Sequence, residues 1–445
     1  MTRFDRPGLM AALRAGFCNP PGVLTPLVRV SRRSYHRLES RMDKPLRDHY
    51  LAAAKRMTLP AFRQMRVAAD HALRCAGDYF PAYAFHVGEL INDEWLSAVD
   101  WHKPFHRDHI THQLMCVYVG RTVVNGGHAG EFMFSERPLI DWCVDVALNA
   151  PECEYLRDYL KAMGAPSFYF RRDGFGRKLW EQMFRESLFL ACTYHDIGYP
   201  WQFVNRIHDQ LRLHAPDDTP FGRGIDAIYH HHRHRLVMYP FNGYQPAVAT
   251  QPTEWTARAR NALRLGFSST HGVPGAFAFL HLNDLIREYP TTPKEQAVSR
   301  FCLEWASMAI AMHDMQKLYA GDDCEPHPHL RVSFRRDPLS FVLTMIDQIQ
   351  DFGRPNAFFR RGGGVTLTYG ATCHRVEVNR GADGGELVFS YFFRDKGDAR
   401  ANKKRFKPLA QRAYFDPTSG YVDYGGLPIS GIRLDAVHEP AGRWW

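Results

Sequence analysis

Three long stretches of the chain repeat apolar residues at the helical period and carry a histidine or an aspartate at or near their ends. This pattern restricts the fold more than any other feature. In RKLWEQMFRESLFLACTYHD (177–196) the apolar positions 179, 183, 184, 188, 190 and 191 form one buried stripe, and the segment closes on His195-Asp196. TPKEQAVSRFCLEWASMAIAMHD (292–314) opens with Thr292, Pro293 at the first helical position and Glu295 three residues after the cap, and it closes on His313-Asp314. That is a capping box with an N1 proline, a strong helix start. DPLSFVLTMIDQIQDFGR (337–354) repeats the design, with Asp337 as cap, Pro338 at N1 and Gly353 at its end. Its Asp347 lies in the apolar part of the helix, where a carboxylate needs a cation or a strong hydrogen-bond donor.

The fold class expected is therefore mainly α, a helical domain over about 46–355. Residues 1–45, rich in Arg, Pro and Gly, read as an arm or a loosely docked extension. After 355 the character changes. GGGVTLTYGATCHRVEVN (362–379) and ELVFSYFFRD (386–395) are rich in Val, Thr, Tyr and Phe between turn residues, which are strand signals. A small β-containing appendage is expected over 356–445. A length of 445 residues is compatible with two or three domains.

Twenty-three histidines make any single one uninformative, so placement decides. RDHITHQLMCVYVG (107–120) puts His109 and His112 three apart, on one face of an expected helix. STHGVPGAFAFL (269–280) sets His271 before a Gly/Pro break and an apolar helix. Imidazole and carboxylate together suit Fe, Mn, Co, Ni or Zn. The cluster YHHHRHR (229–235) has no accompanying carboxylates and reads as a solvated basic stretch. GGG at 362–364 lacks the Lys and Ser/Thr ending of a phosphate loop.

The order His112, His195-Asp196, His271, His313, Asp347 resembles the HD-domain superfamily of metal-dependent phosphohydrolases, and within it the six-ligand, two-metal subset. The phrases RDHITHQLMCVYVG, CTYHDIGYP, STHGVPGAFA, AIAMHD and DPLSFVLTMIDQIQDFGR carry the resemblance, which spans about 107–354. It implies an HD-type helical bundle with two divalent transition-metal ions. By position, it makes His112, His195 and Asp347 ligands of one metal, His271 and His313 ligands of the other, and Asp196 the carboxylate between them. Eighty-two residues separate His112 from His195, long for this fold, so 122–176 reads as an inserted excursion over the site. The long gap leaves His109 a rival first ligand. The apolar pattern at Leu114, Cys116 and Gly120 favours His112.

The implied activity is hydrolysis of a nucleotide or another small phosphorylated substrate by a metal-activated water, with Asp196 catalytic. Arg107 beside the first ligand helix and Arg354 just past Asp347 are candidates to neutralise phosphoryl charge, and His109 to donate a proton. The same ligand order resembles the di-iron oxygenases of this superfamily, such as myo-inositol oxygenase. A regulatory protein with a degenerate HD core is a third reading, which the complete ligand set opposes.

Composition narrows the partners. Hydrophobic residues make up 45% and charged residues 23%, ordinary for a globular chain. No apolar run reaches 18 residues, so no membrane span is expected, and the N-terminus lacks a secretory pattern. Nine irregularly spaced cysteines without a CxxC pair suggest reduced thiols in a cytoplasmic protein. A formal charge of +9 suits phosphorylated partners. The basic stretch at 400–412 has too few interleaved aromatics to support nucleic-acid binding on sequence grounds.

Overall fold

The computed structural model describes residues 2–5, 8, 29–30, 105–107, 110–126, 137–199, 252–288, 292–321, 326–350, 356–359, 365–368, 373–408 and 414–440. The helices are α1 (Ile110–Val124), α2 (Leu139–Asn149), α3 (Glu154–Ala162), α4 (Gly174–Tyr194), α5 (Pro252–Ser269), α6 (Gly272–Ile286), α7 (Pro293–Met312), α8 (Gln316–Ala320), α9 (Pro338–Ile349) and α10 (Lys396–Pro408). The described chain is thus mainly α, as the apolar periodicity requires.

Helix α4 is the axis of the bundle. It packs against α1, α2, α7 and α9, and α6 packs on α7. Asp173 caps it by accepting from the backbone N–H groups of Phe175 and Gly176, each at 3.1 Å. Trp180, Phe184 and Leu188 on one stripe are buried, with Trp180 and Phe184 edge-on to Trp305 of α7. The capping box of α7 forms as its sequence predicts. Thr292 Oγ1 accepts from Glu295 N at 3.4 Å and donates to Glu295 Oε2 at 2.8 Å. Asp337 caps α9 through the N–H groups of Leu339 and Ser340, and it also accepts from Trp305 Nε1 at 3.0 Å. One buried carboxylate therefore ties the start of α9 to the middle of α7.

The structure departs from the sequence reading in four places. Helix α9 ends at Ile349, and Gln350 leaves the helical conformation with ψ 73°, so the helix stops short of Gly353, which lies outside the described residues. Helix α1 starts at Ile110, because Phe105–Arg107 is a strand, β3, paired with β6 (Asn356–Phe359), which pairs with β7 (Val365–Thr368). Of the anticipated excursion, 122–126 is the end of α1 and its following turn, while 137–176 holds α2 and α3 and lies beside the N-terminal end of α4, where Arg177 is paired with Asp141 and Asp145. His195 is about five turns away along that helix.

The fourth departure concerns the first residues. Thr2–Asp5 is strand β1, antiparallel to β8 (Cys373–Arg380), which is antiparallel to β9 (Glu386–Phe393), which runs parallel to β11 (Gly431–His438). The sheet order is β1-β8-β9-β11, and α10 makes the crossover between its two parallel strands. Phe4 is fully buried and meets Tyr118 of α1 edge-on. The described part of the basic stretch at 400–412 belongs to α10. Two-residue strands complete the described elements: β2 (Arg29–Val30) with β4 (Arg287–Glu288), and β5 (Val332–Ser333) with β10 (Val422–Asp423). Among the described residues no helix is long and apolar enough to cross a membrane.

Replacing Asp337 with Ala removes the α9 cap and strands the buried indole N–H of Trp305. The expected loss is roughly 2–4 kcal/mol in urea unfolding. A loss below about 0.5 kcal/mol would show that the α7–α9 tie carries no weight.

Candidate metal centre

Five segments of the bundle bring their polar residues to one end of it. His112 lies in the first turn of α1, and His195-Asp196 follows the last residue of α4. His271 immediately precedes α6, His313 caps the C-terminus of α7, and Asp347 lies in the last turn of α9. All six residues expected to be ligands meet there. His112, Cys116, His195 and Asp347 form one group able to hold a metal ion, and His195, Asp196 and His313 form another; within each group the ligand atoms lie within 4.8 Å of one another.

The hydrogen-bonding pattern of the rings is compatible with a cation site. A carbonyl or carboxylate oxygen can only accept, so a ring nitrogen facing one must donate. His195 Nδ1 faces Cys192 O at 3.0 Å, and His313 Nδ1 faces Ile310 O at 2.6 Å. His271 Nδ1 faces Asp314 Oδ2 at 2.7 Å, and His112 Nδ1 faces the side-chain oxygen of Gln350. Each ring thus has Nδ1 committed and turns Nε2 inward. His112 Nε2 lies 3.0 Å from His195 Nε2, and His271 Nε2 lies 3.1 Å from His313 Nε2. Two such lone pairs face to face at that distance need a proton or a metal between them.

The carboxylates complete the shell. Asp347 Oδ1 is 3.0 Å from His112 Nε2 and 3.8 Å from His195 Nε2. Asp196 divides its oxygens, with Oδ2 3.6 Å from His112 Nε2 and Oδ1 3.4 and 3.3 Å from the Nε2 atoms of His195 and His271. Burial opposes the charge of Asp347, but His112, His195 and His313 outweigh it and hold its carboxyl far below the usual range. Burial and the neighbouring His271 and His195 press His313 down to about 4, so it is neutral at physiological pH. His271 goes the other way. Burial lowers it, yet Asp314 and Asp196 prevail and lift it to about 10 in the metal-free protein. Asp314 is correspondingly held below the ordinary carboxylate range by His271, against the cost of its own burial.

Close backbone approach lets the segments meet. A Cβ on Gly198 would lie 1.8 Å from His271 O, and one on Gly272 would lie 2.6 Å from Ile310 O. The first glycine joins the end of α4 to the start of α6, and the second joins α6 to the end of α7. Tyr199 stacks on the His271 ring at 4.0 Å between centroids. The side chains of Asp347 and His271 are 25% and 11% exposed, against 0–4% for His112, His195 and Asp196, so the approach from solvent crosses those two.

Sequence reading did not find Gln350, Cys116 or Tyr199. Cys116, taken only as part of an apolar pattern, has its Sγ 3.7–3.8 Å from the His112 ring nitrogens. The sequence reading assigned Asp314 no part in the site. Asp314 caps, accepting from His271 N at 2.8 Å, while its second contact orients the imidazole. The glycine after each ligand, in HDIG and HG, was the available signal for close approach. Arg354 and His109 lie outside the described residues, as does the side chain of Arg107. The same holds for the 229–235 histidine cluster. None of the six described cysteines is in a disulfide.

No protein-family model matches the chain, and neither a curated protein nor a solved structure matches it.

Two outcomes follow from the His271 pair. Metal binding at His271 Nε2 must displace its proton, while His313 has none to give. Affinity at this position should therefore rise about tenfold per pH unit between about pH 7 and 9 and level off above about 10. Chelator competition titrations measure this, and a flat profile would remove His271 from the ligands. Asp314→Ala should weaken the same position roughly 10- to 100-fold and leave ion binding at His112 and Asp347 intact. Equal weakening of both would make Asp314 a general structural residue.

Proposed function

We propose that the chain is a metal-dependent phosphohydrolase or phosphodiesterase of the HD type, with a dinuclear centre. The divided coordination of Asp196 carries the reading. One carboxylate oxygen is 3.6 Å from His112 Nε2 and the other lies between His195 Nε2 and His271 Nε2, at 3.4 and 3.3 Å, so the carboxylate stands between the two groups of histidines, where a bridging ligand would stand.

Two divalent ions of the Fe, Mn, Co, Ni or Zn class would supply Lewis acidity and a water made nucleophilic near neutral pH. His112, His195 and Asp347 would hold one ion, and His271 and His313 the other. Gln350 and Asp314 fix the ring orientations through Nδ1, which keeps the Nε2 lone pairs aimed before any ion arrives. Burial of His112, His195 and Asp196 excludes bulk water from that side, so substrate reaches the centre past Asp347 and His271. A phosphorylated substrate, a nucleotide in the reading developed from sequence, fits the basic excess of the chain. Arg107 and Arg354 remain the proposed partners of developing phosphoryl charge, and His109 the proposed acid.

The test is elemental analysis of wild type and Asp196→Ala together with hydrolysis of bis-p-nitrophenyl phosphate under argon. About two transition-metal ions per chain, lost in the variant along with anaerobic turnover, are expected. Metal retained at wild-type level in Asp196→Ala would refute the bridging role. Turnover that requires dioxygen would reassign the centre to oxygenase chemistry.

A further inference from the structure

Helix α10 presents one flank of cations. At 3.6 residues per turn, Lys396, Arg400, Lys403, Lys404 and Lys407 fall within about 100° of arc and span about 16 Å of helix. All five are exposed, as is Arg405 elsewhere on the helix. The side that meets the sheet is different in kind, since Ala399 and Phe406 are buried and the helix packs on β9 and β11.

None of these six cations is joined to a described carboxylate. Elsewhere several described arginines are paired with carboxylates. Arg177 pairs with two aspartates, Arg185 with Glu181, Arg375 with Glu377 and Glu439, and Arg433 with Glu386. A row of unmatched like charges on one helix repels itself and is relieved by an anion that spans several of them.

The helix is also coupled to the metal centre. Phe406 packs on Tyr391 of β9, with ring centroids 4.8 Å apart, and the Tyr391 hydroxyl donates to Gln348 O at 2.5 Å. Gln348 follows Asp347 directly, so two side chains separate α10 from the solvent-facing ligand of the centre.

We infer that α10 is a binding rail for the phosphate backbone of a nucleic acid, which it holds beside the entrance to the metal centre. A 16 Å row matches the axial length over which each strand of a duplex carries about five phosphates, and it spans several phosphates of a more extended single strand. A membrane surface fits less well. A helix that lies in a bilayer interface needs an apolar face to insert, and here that face is packed on the sheet. The delivery of a phosphodiester to the centre rests on the phosphohydrolase reading; the binding does not, and it is measured apart from it.

The experiment is fluorescence anisotropy of a labelled 15-nucleotide oligothymidylate with full-length protein in chelator, so that no turnover contributes. Wild type should bind with log affinity falling against log salt at a slope of about −2 to −3, the value for three to four phosphates neutralised on a single strand. Lys403→Glu/Lys404→Glu/Lys407→Glu should weaken binding at least tenfold and flatten the slope, while Lys178→Glu on α4 should change neither. Metal content and near-ultraviolet circular dichroism of the triple variant should match wild type, which separates lost binding from lost folding. Should the triple variant lose its fold, Lys404→Gln alone, expected to cost about two- to fourfold, serves in its place. Absence of wild-type binding, equal binding by the variants, or preference for phosphatidylserine vesicles over the oligonucleotide would overturn the proposal.

Discussion

The organisation of this end of the bundle depends on one electrostatic conflict. Four imidazoles commit their Nδ1–H groups to fixed acceptors and crowd their Nε2 atoms against one another and against two carboxylates. A protein interior does not assemble such a set for stability, because apolar residues of the same volume would pack there at lower cost. Two of the four acceptors are backbone carbonyls of the last helical turns, Cys192 O and Ile310 O, which α4 and α7 leave free at their C-termini. Helix ends that would otherwise need solvent are thus used to orient ligands.

The rest of the core can be read as support for that conflict. Trp305 and Asp337 tie α7 to α9, so the His313 and Asp347 ends are set by one buried hydrogen bond about two turns from the first and about three from the second. Tyr421 donates to Met312 O, next to His313, and Tyr391 donates to Gln348 O, next to Asp347. Both tyrosines come from the C-terminal part of the chain. The appendage therefore fixes the backbone on either side of the centre and is not a separate module hung from the bundle.

Much of this was legible from the sequence, for physical reasons that differ by element. The capped helices α4, α7 and α9 could be read because caps and apolar period are local properties. The six candidate ligands could be singled out because each is a polar residue within or beside an apolar run, where it is conspicuous. Gln350 could not, since its role depends on α9 ending there and on α1 lying opposite, both tertiary facts. Tyr199 and Cys116 are likewise meaningful only once α4, α6 and α1 are packed. The role of Thr2–Asp5 was hidden for the opposite reason. Four residues carry no period, and nothing local distinguishes a strand from an arm.

That short strand has a consequence for how the molecule is made. Phe4 is paired with Val376 about 370 residues later. Every described ligand of the metal centre lies between the two. During synthesis the first strand must wait, unpaired, while the whole bundle emerges and collapses, and only then can it close the edge of the sheet. The bundle emerges inside a loop that the pairing of β1 with β8 closes, so collapse of the helices around the candidate metal centre can precede closure of the sheet edge.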